Sequence, residues 1–193
     1  MAGCRRDGAR QKKMETFNPD DIATVNNAAA MAEELVSNHY KMSASQWIKR
    51  RYDIRTLSDL DPGEIIDGPF AQIIRYEGHR RNRSLGSSAY DFYKICLQDH
   101  TILAALMENR RLQLFPFILY IVTHELIHIV RFTKFLQQFD AAPEDRLVEE
   151  KRVHAATHQV LAPVKTAGLA EVLEFYGEWR IPYDGLRQKQ NIS

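Results

Sequence analysis

Apolar residues recur at helical spacing over most of this chain. Asn18, followed by Pro19 and two aspartates, is typical of a helix start, and the apolar positions after it predict a helix to about His39. A second, shorter helix is predicted from Ser45 to Tyr52. The stretch from Thr56 to Gly68 contains proline, glycine and several aspartates, which predicts a connection.

Two strands are predicted in the middle of the chain. They run from Ala71 to Tyr76 and from Tyr90 to Leu97, where β-branched and aromatic residues are enriched and partly alternate with polar ones. The polar, glycine-containing segment between them predicts a loop. The simplest arrangement is a hairpin or meander, which is a small antiparallel sheet.

The pattern becomes helical again from Thr101. Pro116 marks either a kink or the start of a new helix, which continues to about Gln138 and is apolar almost all round, so we expect it at the centre of the domain. Further helices are predicted from Pro143 to about Leu161 and from Thr166 to about Tyr176. The predicted fold class is α+β, mainly helical, with a small antiparallel sheet before the central helix.

The composition is that of a globular domain, with 193 residues, 45% of them apolar and 26% charged. We expect a disordered basic tail over residues 1–16 and a single domain over 17–193. The net charge of +1 does not favour a nucleic-acid partner. Basic residues cluster at positions 5–13 and 79–83, and both clusters are interpreted as solvated.

The location predicted from the sequence is cytoplasmic. The chain has two cysteines and no apolar stretch behind its first basic residues, which favours a reducing compartment over secretion. The apolar segment from Leu112 to Val130 contains two histidines and a glutamate, so a buried helix is favoured over a membrane span.

That central helix carries His124, Glu125 and His128 in the pattern HExxH. Residues four apart lie on one face of a helix, so both imidazoles can reach the same metal ion while Glu125 lies beside the water that the ion would bind. Three ionisable groups in such an apolar segment also need a compensating partner. The pattern therefore predicts a catalytic zinc (Zn2+) site.

A catalytic zinc ion usually has three protein ligands. Arg131 and Lys134 stand where the extended metzincin motif has a glycine and a histidine, which excludes that class. The next predicted helix offers an acidic pair and two histidines, namely Glu149, Glu150, His154 and His158. Glu150 is favoured over Glu149 because it shares a helical stripe with both histidines, and ligation by a histidine stays open.

The chain here resembles the gluzincin class of zinc metallopeptidases, over residues 90–162. Glu149 and Glu150 lie 21 and 22 residues beyond His128, which suits the second helix of that class. The resemblance implies a zincin-like domain that binds zinc through His124, His128 and Glu150. It also implies that Glu125 is the general base for hydrolysis of a peptide or protein substrate.

The resemblance leaves other roles open. Many gluzincins have an aspartate at the position that His154 occupies in this chain. His154 can orient a ligand, bind the metal or stabilise the oxyanion. His158, Tyr176 and Tyr183 are further candidate oxyanion donors. In compact relatives, the strand before the motif helix receives an extended peptide, which here would be the strand from Tyr90 to Leu97.

Two other classes of protein fit part of the pattern. A metal-binding regulatory or interaction module can keep a zincin-like shell without hydrolysing anything. A di-iron carboxylate protein also uses Glu-x-x-His, as in Glu125 to His128, but no other histidine has an acid three residues before it. The sequence does not specify the substrate, the need for an activating partner or the oligomeric state.

Overall fold

The structure, a computed structural model, describes residues 14–43, 51–79, 89–134 and 142–177. The helices are α1 (Pro19–His39), α2 (Asp99–Glu108), α3 (Leu114–Thr133), α4 (Pro143–Leu161) and α5 (Leu169–Phe175). The strands are β1 (Arg51–Arg55), β2 (Ala71–His79) and β3 (Ala89–Leu97). The predicted α+β class is confirmed. Residues 1–13 of the predicted basic tail (residues 1–16) and residues 80–88, in the predicted loop between the two predicted strands, lie outside the described residues.

Helix α1 begins and ends where the sequence predicts. The side chain of Asn18 accepts hydrogen bonds from the backbone N–H groups of Asp20 and Asp21, at 2.8 and 3.0 Å, and the backbone N–H of Asn18 donates to the Asp21 carboxylate. This capping box satisfies the exposed N–H groups of the first turn. The buried side of the helix contains the small residues Ala28 and Ala32, so α1 packs closely along α3.

The sheet has the strand order β1-β3-β2, with β1 parallel and β2 antiparallel to β3. The expected purely antiparallel sheet is therefore wrong. The difference comes from residues 51–55, which form β1, whereas the predicted helix included residues 51 and 52. Tyr52 pairs with Tyr93 in this strand. Residues 44–50 of the predicted helix lie outside the described residues.

Strand β3 is the central strand of this sheet. Its residues 92–96 pair with β1 on one side, and the whole strand pairs with β2 on the other. A strand whose backbone groups are bonded on both sides cannot accept another strand. The expectation that this strand receives an extended peptide is therefore wrong.

Helix α3 runs through the hydrophobic core. Pro116 lies in its first turn, where a missing N–H costs little. The helix begins at Leu114, after α2 has ended at Glu108, so Pro116 marks the start of a new helix and not a kink. It ends at Thr133, earlier than predicted. By length and hydropathy it is the one helix in the described ranges that could span a membrane, and 78% of its most apolar window is buried within the fold.

Helix α4 confirms the predicted range from Pro143 to Leu161, while α5 begins three residues later than expected. Gly168, just before α5, has φ 77°, a left-handed conformation that favours glycine. A Cβ atom there would lie 3.0 Å from the Gln113 side chain and 3.2 Å from Pro116. The chain thus turns sharply against the start of α3 before its last described helix.

Candidate metal centre

One stripe of α3 faces α4. It consists of four ring side chains spaced four residues apart, namely Tyr120, His124, His128 and Phe132. Tyr120 hydrogen-bonds to His154, whereas His128, further along α3, meets Glu150, which lies earlier in α4. Because positions rise along one helix as they fall along the other, α3 and α4 are antiparallel. The predicted helix pair therefore exists, with the motif on its inner side.

Three potential ligands converge between these helices. The Nε2 atoms of His124 and His128 are 3.1 Å apart. Glu150 lies 3.2 Å from each of them, through Oε2 to His124 and through Oε1 to His128. Ligands at 2.0–2.1 Å from a tetrahedral zinc ion are about 3.3 Å from one another. The three side chains are thus spaced as the ligands of one such ion would be.

The surroundings of the ligand triangle, which consists of His124, His128 and Glu150, are asymmetric. The side chains of His124 and His128 are 10% and 6% exposed, whereas that of Glu150 is 43% exposed, so the triangle opens toward solvent on the Glu150 side. Burial raises the pKa of Glu150, but hydrogen bonds from both histidines and their positive charges outweigh this and lower the pKa below its ordinary value. The carboxylate form needed for metal binding is therefore favoured.

The second ring nitrogen of His124, Nδ1, differs from Nε2 in its hydrogen bonding. Nδ1 is buried and has no hydrogen-bond partner among the described residues. In many metal sites this second nitrogen donates to a carboxylate or carbonyl that orients the ring. Here the ring of His124 lies between those of His128 and His154, at centroid distances of 4.8 and 4.3 Å, so packing orients it instead.

Glu125 lies beside the triangle and is half-buried. No side chain in the described part of the chain forms a hydrogen bond or ion pair with its carboxylate. Burial raises the pKa of Glu125, the charges of His124 and His128 oppose that rise, and the charge of Glu150 adds to it. An acid with a raised pKa and no bonding partner is suited to taking up a proton.

Glu149 has a different environment from its neighbour Glu150. It is buried, and its carboxylate pairs with Arg131 of α3 and, at 3.3 Å, with Arg152. Of the two candidate acids, the structure brings Glu150 to the histidines and Glu149 to the arginines. The Arg131–Glu149 pair also joins α3 to α4 just beyond the triangle.

His154 lies next to the triangle. One of its ring nitrogens is within 4.8 Å of potential ligand atoms of both His124 and Glu150. Its Nδ1 is 2.8 Å from the hydroxyl of Tyr120. Tyr120 in turn stacks face to face on Tyr176, with ring centroids 3.9 Å apart and planes 4° apart.

The other candidate oxyanion donors differ in their positions. Tyr176 is buried near His154, and burial raises its pKa well above the ordinary value. His158 is half-buried and lies outside the group of described side chains, His124, Glu150 and His154, whose potential ligand atoms are within 4.8 Å of one another. Tyr183 lies outside the described residues.

Sequence reasoning did not single out Tyr120 or Phe132. The ring of Phe132 stacks on His128 at 5.9 Å and on Tyr93 of β3 at 6.0 Å, so it connects the site to the sheet. Tyr120 lies four residues before His124 and Phe132 four residues after His128, and this spacing is the signal by which both could have been found. In an apolar helix, both instead resemble ordinary core residues.

Comparison with known proteins returned no relatives. No protein-family model matches the chain, and no curated protein or solved structure shows a significant similarity.

Proposed function

We propose that this chain is a zinc-dependent metallopeptidase with a gluzincin-like ligand set of His124, His128 and Glu150. The main support is three distances of 3.1–3.2 Å that join these side chains pairwise, through Nε2 of each histidine and the two carboxylate oxygens of Glu150. The two histidines come from one helical stripe and the glutamate from an antiparallel neighbour. Buried polar groups need hydrogen-bond or metal partners, and here two buried imidazoles each direct a ring nitrogen at the same partly exposed carboxylate.

Zinc suits these ligands better than the other common metals. Two imidazoles and one carboxylate form a known catalytic zinc set, and calcium and magnesium prefer oxygen ligands alone. Within the described ranges, one group of ligand-type side chains, His124, Glu150 and His154, lies close enough to hold an ion, and it shares two members with the proposed ligand set. A single group supports one ion rather than a di-iron pair. When bound, zinc polarises a substrate carbonyl and lowers the pKa of a coordinated water.

The chain itself supplies the proton transfers. Glu125 accepts the proton of the attacking water and then delivers it to the nitrogen of the leaving amine. The absence of a bonding partner for this carboxylate among the described residues leaves both oxygens available. The substrate is a peptide or protein, and we expect it to reach the site from the exposed side of Glu150.

The test combines metal removal with a Glu125→Gln variant. Hydrolysis of a mixed peptide library by the purified chain should stop after chelation and return when zinc is added. Glu125→Gln should keep stoichiometric zinc but lose at least about 100-fold in hydrolysis, since a proton-transfer group typically contributes that much or more. Glu174→Gln, at an exposed glutamate that pairs with Arg111, is the matched control and should hydrolyse normally. Equal activity of Glu125→Gln and the native chain would eliminate the peptidase proposal.

A non-catalytic metal-binding module is the second candidate, and one observation favours it. His154 is close enough to His124 and Glu150 to become a fourth protein ligand. Structural zinc sites have four protein ligands, whereas catalytic ones keep a position for water. In a four-ligand site, zinc would stabilise the fold. The chain would then show no hydrolytic activity with zinc bound, and chelation would unfold it.

A further inference from the structure

His154 decides between an open and a closed metal site, and its hydrogen bond to Tyr120 bears directly on this. The hydroxyl of Tyr120 lies 2.8 Å from Nδ1 of His154. Both residues are buried, with exposed fractions of 1% and 7%. A hydrogen bond between buried groups is stronger than one in water, so this contact strongly affects the state of the imidazole.

A neutral imidazole has one N–H and one nitrogen lone pair. A phenol hydroxyl is a better donor than a neutral imidazole N–H, and an imidazole nitrogen is a better acceptor than a phenol oxygen. The favoured arrangement is therefore donation from the Tyr120 hydroxyl to Nδ1 of His154. The proton of the ring is then on Nε2, since the hydrogen bond at one nitrogen sets the tautomer at the other.

In that arrangement neither nitrogen of His154 can bind a cation. The lone pair of Nδ1 accepts the Tyr120 hydroxyl, and Nε2 carries hydrogen. This conclusion holds whichever ring nitrogen lies nearer to His124 and Glu150.

We infer that Tyr120 is a positioning residue that keeps His154 from binding the metal and so keeps the proposed zinc site open. The inference rests on the proposed zinc site of His124, His128 and Glu150. It explains why a histidine can lie beside these ligands without closing the site. The stacked ring of Tyr176, 3.9 Å from that of Tyr120, holds the phenol in place.

The test counts the imidazoles bound to zinc by X-ray absorption spectroscopy. The native chain should show two, from His124 and His128. In Tyr120→Phe, which keeps the ring and removes the hydroxyl, His154 becomes able to ligate, so the count should rise to three. The dissociation constant for zinc should fall by about tenfold or more, as expected for an added ligand. Adding His154→Ala to Tyr120→Phe should return both values to those of the native chain.

Two further variants make the result decisive. His154→Ala alone should leave the imidazole count and the zinc affinity unchanged, and it does not depend on the folding of a Tyr120 variant. Tyr93→Phe removes the hydroxyl of another buried tyrosine and should also change neither value. Among the described residues, that hydroxyl has one hydrogen bond, to Asp91 at 3.5 Å.

Three bound imidazoles in the native chain, or two in both the native chain and a folded Tyr120→Phe, would overturn the inference. A tenfold or greater loss of zinc affinity in His154→Ala would also overturn it. Failure of the proposed function is a separate outcome, because it appears as absent zinc binding or absent hydrolysis in the native chain.

Discussion

Glu149 and Glu150 are adjacent acids whose surroundings differ. The Glu150 carboxylate contacts two imidazoles and is partly exposed, while the Glu149 carboxylate is buried between two guanidinium groups. The first arrangement is the one proposed to bind zinc, and the second is an ion pair that joins two helices.

Substitution of each acid by glutamine should therefore have opposite effects. Glu150→Gln should weaken zinc binding by about 100-fold or more, since a neutral amide is a poor zinc ligand, and should change stability little without the metal. Glu149→Gln should keep the zinc affinity within a few-fold but cost about 2–3 kcal/mol of folding free energy, because it leaves Arg131 without its buried partner. Zinc titration and urea unfolding of both variants measure these effects, and loss of zinc binding in Glu149→Gln alone would mean that the ligand is assigned to the wrong acid.

The sequence was sufficient to predict which candidate residues share a helix face, because residues four apart within one helix lie on the same side. His124 and His128, or Glu150 and His154, share a face by spacing alone. The contact between Tyr120 and His154 joins residues 34 apart on two helices. A single tyrosine within an apolar run gives no indication in the sequence of such a contact. The role of His154 therefore needed coordinates.

At the scale of elements, the sheet shows what local sequence cannot specify. Arg51–Arg55 alternates between polar and apolar residues, but five residues are too few for this pattern to separate a strand from the end of a helix. It forms a strand because it pairs with β3, about forty residues later. The same pairing makes β3 central. Helices α1 and α4, in contrast, have a capping residue or an N-terminal proline in the sequence, and their ranges could be predicted.

The turn at Pro62–Glu64 is fastened to the sheet by one buried carboxylate. Glu64 accepts hydrogen bonds from Lys94 of β3 at 2.6 and 2.7 Å and from Tyr76 of β2 at 2.8 Å. The hydrogen bond from Lys94, followed by those from the Asp61 backbone and Tyr76, lowers the pKa of Glu64 from 4.5 to about 2.

We expect this carboxylate to make stability depend on pH. Because its pKa is lower in the folded state, its contribution is fully present above pH 4.5 and is lost as the pH falls toward about 2. Glu64→Gln should destabilise the chain by about 2–3 kcal/mol at pH 7. Urea unfolding should show a smaller difference between Glu64→Gln and the native chain at pH 3, and a difference that grows as the pH falls would contradict this assignment.

The packing of α1 on α3 depends on small side chains. Ala28 and Ala32 are fully buried where the two helices meet. Ala28→Leu should destabilise the fold by about 1–3 kcal/mol, because the added atoms have no space. Ala30→Leu, at an exposed position of the same helix, is the matched control and should change stability little. Equal melting temperatures for the two variants would show that the helices are not in close contact at Ala28.

At the scale of the whole molecule, the proposed zinc ion links α3 to α4. An ion that binds only the folded chain stabilises it by mass action, by about 2.7 kcal/mol when free zinc is 100 times its dissociation constant. The melting temperature of the native chain should therefore rise with zinc concentration. The same titration of Glu150→Gln should give little or no rise, and equal rises in the two proteins would show that the ion binds elsewhere.

The α+β class and the order of most elements could be predicted because they follow from local spacing and turn residues. The mixed sheet could not, because the choice between parallel and antiparallel partners depends on contacts that are distant in sequence. The meeting of α3 and α4 was predicted from the chemistry of the acidic helix rather than from its apolar pattern. The proposed metal site lies where these two helices meet.

A crystal structure of the zinc-loaded chain, with anomalous data collected on both sides of the zinc absorption edge, tests this claim most directly. We predict one anomalous peak about 2.0–2.2 Å from Nε2 of His124, Nε2 of His128 and a carboxylate oxygen of Glu150. A peak at another place, or these three side chains turned away from one another around no ion, would contradict it.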